Sequence, residues 1–267
     1  STLNFSNPTT LTVSDNGTGV FVSGNTGVVT GDLSLNVNNN ATGVYVKDLG
    51  TTYTNNSKLN ANGTDSRGLV SENSNIDNAG TISVNGVKGV GLFSQLTKAG
   101  NTVINNTGKI TLGSNGVGIY AENTTVTAVN TGAIESSKYG AIGVFADNGT
   151  IQNLGTITLS GDNSIGMAGR TNATIINDGQ ITINGNDGIG MYVTNNSHVY
   201  NNNVITINGA NGTGIQIGRG STLENRGTIN LNGTNGQDVV YGEGTTYQLP
   251  SIINAGIINV AEKFEVS

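Results

Sequence analysis

The sequence predicts an all-β fold, a right-handed parallel β-helix, and three observations carry that prediction. Two short motifs recur with one shared period near 24 residues. The stretches between turns alternate apolar and polar residues with period two, as half-buried strands must. No stretch shows a helical period. Fixed periods of this length are the signature of stacked-repeat architectures.

Composition supports strands over disorder. The 267 residues include 41 Gly and only two Pro, and 10% are charged. Disordered chains are rich in charge and Pro and poor in β-branched residues, whereas Val, Ile and Thr run through this chain as in strands.

The first motif is Asn-x-Gly-x-Ile. It begins at Asn78, Asn106, Asn130, Asn153, Asn177, Asn225 and Asn254, with a variant at Asn201. The leading Asn residues are spaced 28, 24, 23, 24, 24, 24 and 29 apart. The second motif, Gly-apolar-aromatic, occurs at Gly19-Val20-Phe21, Gly43-Val44-Tyr45, Gly91-Leu92-Phe93, Gly118-Ile119-Tyr120, Gly143-Val144-Phe145 and Gly190-Met191-Tyr192. Degenerate copies start at Gly68, Gly166 and Gly214.

One period holds three short strands. In residues 116–136 they are Val117–Ala121, about Thr127–Val129 and Ala133–Ser136, joined by Asn, Gly, Ser and Asp. Three strands per coil, repeated ten to eleven times, stack in parallel, and the crossover rule makes the helix right-handed. At roughly 4.8 Å per coil the rod is about 50 Å long. A row of inward residues follows: Leu33, Leu59, Ile82, Ile110, Ile134, Ile157, Ile181, Ile205, Ile229 and Ile258. The chain is read as one domain over 1–267: an N-terminal coil at 1–16, regular coils at 17–260 and an end at 261–267.

Alternation assigns the columns. Val117, Ile119 and Ala121 share a side, as do Ile189, Met191 and Val193, and that side is the interior. The aromatics Phe21, Tyr45, Phe93, Tyr120, Phe145 and Tyr192 then point outward as an exposed or half-exposed column. Such a column either stacks for stability or forms a binding stripe for sugar rings or a partner protein. The leading Asn shares parity with an interior Ile, as Asn153 does with Ile151. Buried amides need partners, so Asn78, Asn106, Asn130, Asn153, Asn177, Asn201, Asn225 and Asn254 are read as a structural ladder, with Asn55 in the same column. The Gly two residues on is expected to take a positive φ at the bend.

There is no Cys, and 11 basic residues face 17 acidic ones without a basic cluster, which argues against nucleic acid and thiolate metal sites. No apolar run is long enough to span a bilayer, and Ser1-Thr2-Leu3-Asn4 has no signal-peptide character. His198, the single His, points outward beside a turn. Position four after the strand-one Gly reads Lys47, Glu72, Gln95, Glu122, Asp147, Arg170. Glu122 and Asp147 on adjacent coils suit a glycosidase pair or Ca²⁺, but a mixed-charge surface ladder is the favoured reading of them. With no loop there long enough to build a cleft, the reading is non-enzymatic, with no cofactor, no metal and no catalytic residue. The repeat stretches at Phe93–Gly100 and at Tyr241–Pro250, and insertions in solenoids protrude as loops that often carry function.

The run Asn106-Thr107-Gly108-Lys109-Ile110-Thr111-Leu112-Gly113-Ser114-Asn115-Gly116-Val117-Gly118-Ile119-Tyr120 resembles the passenger repeats of large type V autotransporter adhesins from anaerobic Gram-negative bacteria. The likeness covers about Gly17 to Val260. It implies a passenger fragment displayed at the bacterial surface and linked to an outer-membrane β-barrel, not itself inserted in the membrane. It also implies attachment to a protein or glycan of host cells or other bacteria. The alternatives are a polysaccharide-degrading β-helix enzyme and a pure structural stalk. The coil pattern at Ile258-Asn259-Val260, followed by Glu262-Lys263-Phe264-Glu265, is compatible with further coils and keeps the stalk open.

Overall fold

In the computed structural model the described residues are 2–25, 27–123, 125–241 and 251–261. All their regular structure is strand. A central coil reads Val117–Glu122, Val126–Asn130 and Ala133–Ser136. The three positions build three parallel sheets of ten, nine and eleven strands, a solenoid of about 10 turns. We call them the glycine, amide and isoleucine sheets after their most regular inward residue.

Each strand pairs with the equivalent strand one coil away, so like residues stack. Ile110, Ile134, Ile157, Ile181, Ile205, Ile229 and Ile258 are successive register partners. Toward the N-terminus the row passes through Leu59 to Leu35. Leu33 pairs instead with Thr9. The strand Val28–Val37 is ten residues long, both leucines are buried, and period two alone leaves a two-residue shift open. The first strand, Thr2–Val13, is mostly exposed and breaks register between Phe5 and Thr9.

The strand-one glycine changes the alternation. Gly118 is skipped in the register, where Val117 pairs with Ile142 and Ile119 with Val144. A Cβ on Gly118 would lie 2.4 Å from Gly143 O and 3.0 Å from Ile134 Cγ2. Gly118 and Ile119 therefore both face the bore. Val117 and Ile189, expected inside, are half-exposed and outside the core.

The second glycine corrects another expectation. None of Gly80, Gly108, Gly132, Gly155 or Gly179 has a positive φ. They are glycines because the coils touch: a Cβ on Gly108 would sit 2.0 Å from Gly80 O. Positive φ falls mostly to Asn and Asp at the other two corners, at Asn115, Asn163, Asp187 and Asn211 on one and at Asp48, Asn73 and Asn148 on the other, with Lys88 and Thr171 as exceptions. Short polar side chains tolerate that region through local hydrogen bonds.

Candidate functional site

The outward face of the glycine sheet carries the aromatics, but not as one column. Phe21 pairs with Tyr45, and Tyr45 with Val70. Phe93, Tyr120 and Phe145 follow as neighbours, then Ala168, then Tyr192. Val70 and Ala168 divide the rings into a pair, a trio and a single. Phe21 and Tyr45 stack with centroids 5.7 Å apart and 19° between planes. The trio packs edge to face at 5.1 and 4.9 Å. Arg67 Cζ lies 4.9 Å from the Phe93 centroid, and Arg170 Cζ 5.3 Å from that of Phe145.

Exposure differs along the row. Phe21 is 59% exposed, Tyr45, Tyr120, Phe145 and Tyr192 are half-buried, and Phe93 is buried. Phe93 thus departs from the exposed column expected of it, because Arg67 and the Tyr120 ring cover it. Burial and the Glu122 carboxylate raise the Tyr120 hydroxyl above its ordinary pKa.

Beside the rings runs a second apolar column that sequence reasoning placed inside. Val90, Val117, Ile142, Ile165 and Ile189 are successive register partners, all half-buried and none in the core. The signal was present, an apolar residue immediately before Gly91, Gly118, Gly143, Gly166 and Gly190, but counting by twos across a skipped residue assigned it to the wrong side. The two columns give five consecutive coils an apolar outer strip. The isoleucine sheet differs: its outward middle row reads Thr111, Glu135, Thr158, Thr182, Thr206.

A polar column borders the strip. Lys47 Nζ lies 2.9 Å from Glu72 Oε1. Glu72 is buried and also accepts from the Tyr45 hydroxyl and, at 3.1 Å, from Thr97 Oγ1. Those bonds, Lys47 first, hold the Glu72 carboxyl below its ordinary range. Burial, then the bond to Glu72, pushes Tyr45 up to about 12. Glu122 and Asp147 are register partners, and Asp147 Oδ2 accepts from Arg170 Nε at 2.9 Å and Nη2 at 2.7 Å. Contrary to expectation a shallow cleft of about 340 Å³ lies here, lined by Gln95, Leu96, Glu122, Asn123 and Asp147 among others. The Leu96–Asn101 insertion supplies one wall. Among the described residues no three His, Cys, Asp or Glu side chains are grouped to hold a metal ion.

The amides of the amide sheet form an unbroken chain of hydrogen bonds. Each Nδ2 donates to the next Oδ1 from Asn55 through Asn78, Asn106, Asn130, Asn153, Asn177, Asn201 and Asn225 to Asn254, at 2.8–3.0 Å. His198 is half-buried, with Nδ1 2.7 Å from Thr222 Oγ1. The insertion after Tyr241 and the segment Glu262–Glu265 lie outside the described residues.

The sequence profile of the BigA third pectate lyase-like domain matches residues 52–139 and 133–263. This chain belongs to that family. The match is consistent with a passenger-domain repeat region of bacterial surface adhesins. No curated protein and no solved structure matches the chain. The BigA-family stretch contains the aromatic trio, Tyr192 and all nine ladder asparagines, whereas Phe21 and Tyr45 precede it.

Proposed function

We propose that this BigA-family chain is an extended segment of a bacterial surface adhesin and binds a protein or glycan through the outer face of its glycine sheet. The observation that supports this reading is the double apolar column, Val90 to Ile189 beside Phe93 to Tyr192, on a rod whose isoleucine-sheet face is a row of Thr and Glu. Contiguous exposed apolar area rimmed by polar groups marks an interaction surface. A rigid solenoid presents such a face without ordering cost, which favours binding. In this reading the chain stands outside the cell, carried by a membrane-embedded part of a longer protein.

The polysaccharide-cleaving alternative would use Glu122 and Asp147 in the shallow cleft. It has weaker support, because Asp147 is held by two bonds from Arg170 and is thereby committed as an ion-pair partner. The deciding experiment exposes the purified chain to a glycan array and to host and bacterial cells, with released sugar assayed in the same wells. Saturable binding without release is the expected result. Release would install the enzyme reading, and neither binding nor release would leave a stalk.

A further inference from the structure

The inner corner between the glycine and amide sheets is lined by small side chains. On the glycine-sheet side Ser71, Ser94, Ala121, Ala146 and Gly169 are successive register partners. On the amide-sheet side Thr102 pairs with Val126, and Gly149, Ala173 and Ser197 occupy the same place in later coils, one residue before the partners Thr150, Thr174 and His198. The two columns touch. A Cβ on Gly169 would lie 3.1 Å from Ala173 Cβ, and one on Gly149 would lie 3.3 Å from Ala121 Cβ.

Other hydroxyls in this corner are engaged. Ser71 Oγ donates to Ser74 O at 2.5 Å, and Ser74 Oγ donates to Glu72 O and accepts from Leu49 N. Ser197 Oγ donates to Thr194 O and accepts from Ala173 N. Ser94 and Thr102 depart from this pattern. They are 0% and 1% exposed, and neither Ser94 Oγ nor Thr102 Oγ1 has a hydrogen-bond partner among the described residues. They flank the connection 96–101, longer than its counterparts 123–125, 148–149 and 171–173.

A buried hydroxyl left unpaired is costly, and native interiors pair such groups with protein or with ordered water. Both side chains are fixed by coil-to-coil pairing, Ser94 with Ala121 and Thr102 with Val126, on facing columns of one corner. A water molecule both donates and accepts, and so does each hydroxyl. We propose that this corner binds a structural water that bridges Ser94 Oγ and Thr102 Oγ1 and anchors the base of the 96–101 loop from inside.

A crystal structure of the whole chain, at a resolution that orders internal solvent, tests the site directly. The expected result is a density peak within about 2.7–3.2 Å of both oxygens. Hydroxyls bonded directly to each other or to backbone, with no peak between them, would overturn the proposal. Thermal unfolding of Ser94→Ala and Thr102→Val gives an independent reading. If the water bridges them, each variant unfolds about 2–4 °C lower, and the double variant loses less than the sum because the second truncation finds the bridge already broken. Unchanged or raised midpoints would mean that an unpaired hydroxyl had been removed, and the bridge would be refuted.

Discussion

Asn153 Nδ2 donates to Asn177 Oδ1 across 3.0 Å, and Asn153 Oδ1 accepts from Asn130 Nδ2 at 2.8 Å. The two bonds tie three coils together inside the bore. Replacing Asn153 with Leu keeps the branched shape and removes both bonds, leaving Asn177 Oδ1 without its donor and Asn130 Nδ2 with only its longer bond to Gly132 O at 3.3 Å. The expected cost is about 1–3 kcal/mol, carried mainly by the stranded Asn177 Oδ1. Asn254→Leu, at an exposed ladder end where Oδ1 accepts from Asn225 Nδ2 and from Gly256 N, should cost much less, because water can replace both partners. Denaturant unfolding of the two variants checks the contrast, and equal losses would mean that the ladder does not act through burial.

Close approach of backbones gives a second prediction. A Cβ at Gly108 meets Gly80 O at 2.0 Å, whereas one at Gly236 meets nothing nearer than Leu231 Cβ at 3.3 Å. Gly108→Ala must push two coils apart and should cost several kcal/mol, at or above the about 1–3 kcal/mol typical of overpacking. Gly236→Ala should be close to neutral, since the lost freedom of the unfolded chain offsets a mild contact. Comparing their unfolding midpoints decides whether spacing or conformation selects these glycines.

Acid should weaken the coils around Glu72. Its carboxyl is held below its ordinary value near 4.5 by Lys47 first and then Tyr45. A depressed carboxyl stabilises the fold at pH above that ordinary value, and the contribution disappears as pH falls through the folded-state value. Glu72→Gln should therefore lower the midpoint at pH 7, while the gap between variant and parent narrows below about pH 4.5. A gap independent of pH would assign the loss to packing instead of charge.

Much of this architecture was legible because a solenoid prints its contacts along the chain. Ile134 and Ile157 stack in space for the same reason that they recur in sequence, and the interruptions at Val70 and Ala168 are visible as degenerate motif copies. What escaped were departures from strict alternation and contacts between columns. Skipping Gly118 moves Val117 outside, and no count by twos can show it. Phe93 is covered by Arg67, whose partner is set by side-chain reach across a coil. Most positive φ values fell to Asn and Asp, while the glycines of the Asn-x-Gly motif stand where backbones meet. The unpaired Ser94 and Thr102 hydroxyls depend on side-chain contacts between two columns, which no motif records.

The binding face can be tested apart from the fold if the residues changed carry little packing. Tyr120 is a poor choice, since it holds both Phe93 and Phe145 edge to face, and such pairs contribute about 0.5–1.5 kcal/mol each beyond burial. Ile165 and Tyr192 are better. Both are half-buried, and neither belongs to the core. Tyr192 has Ala168 and Gln216 as its cross-coil partners, so it stands without ring neighbours in the register. Ile165→Ser with Tyr192→Ser should leave the unfolding midpoint within a few degrees of the parent. Hot-spot aromatics typically cost about 2 kcal/mol or more when truncated, so cell or glycan binding should fall at least tenfold. Retained binding with an intact fold would remove the glycine-sheet face as the adhesive surface and move attention to the cleft beside the Leu96–Asn101 insertion.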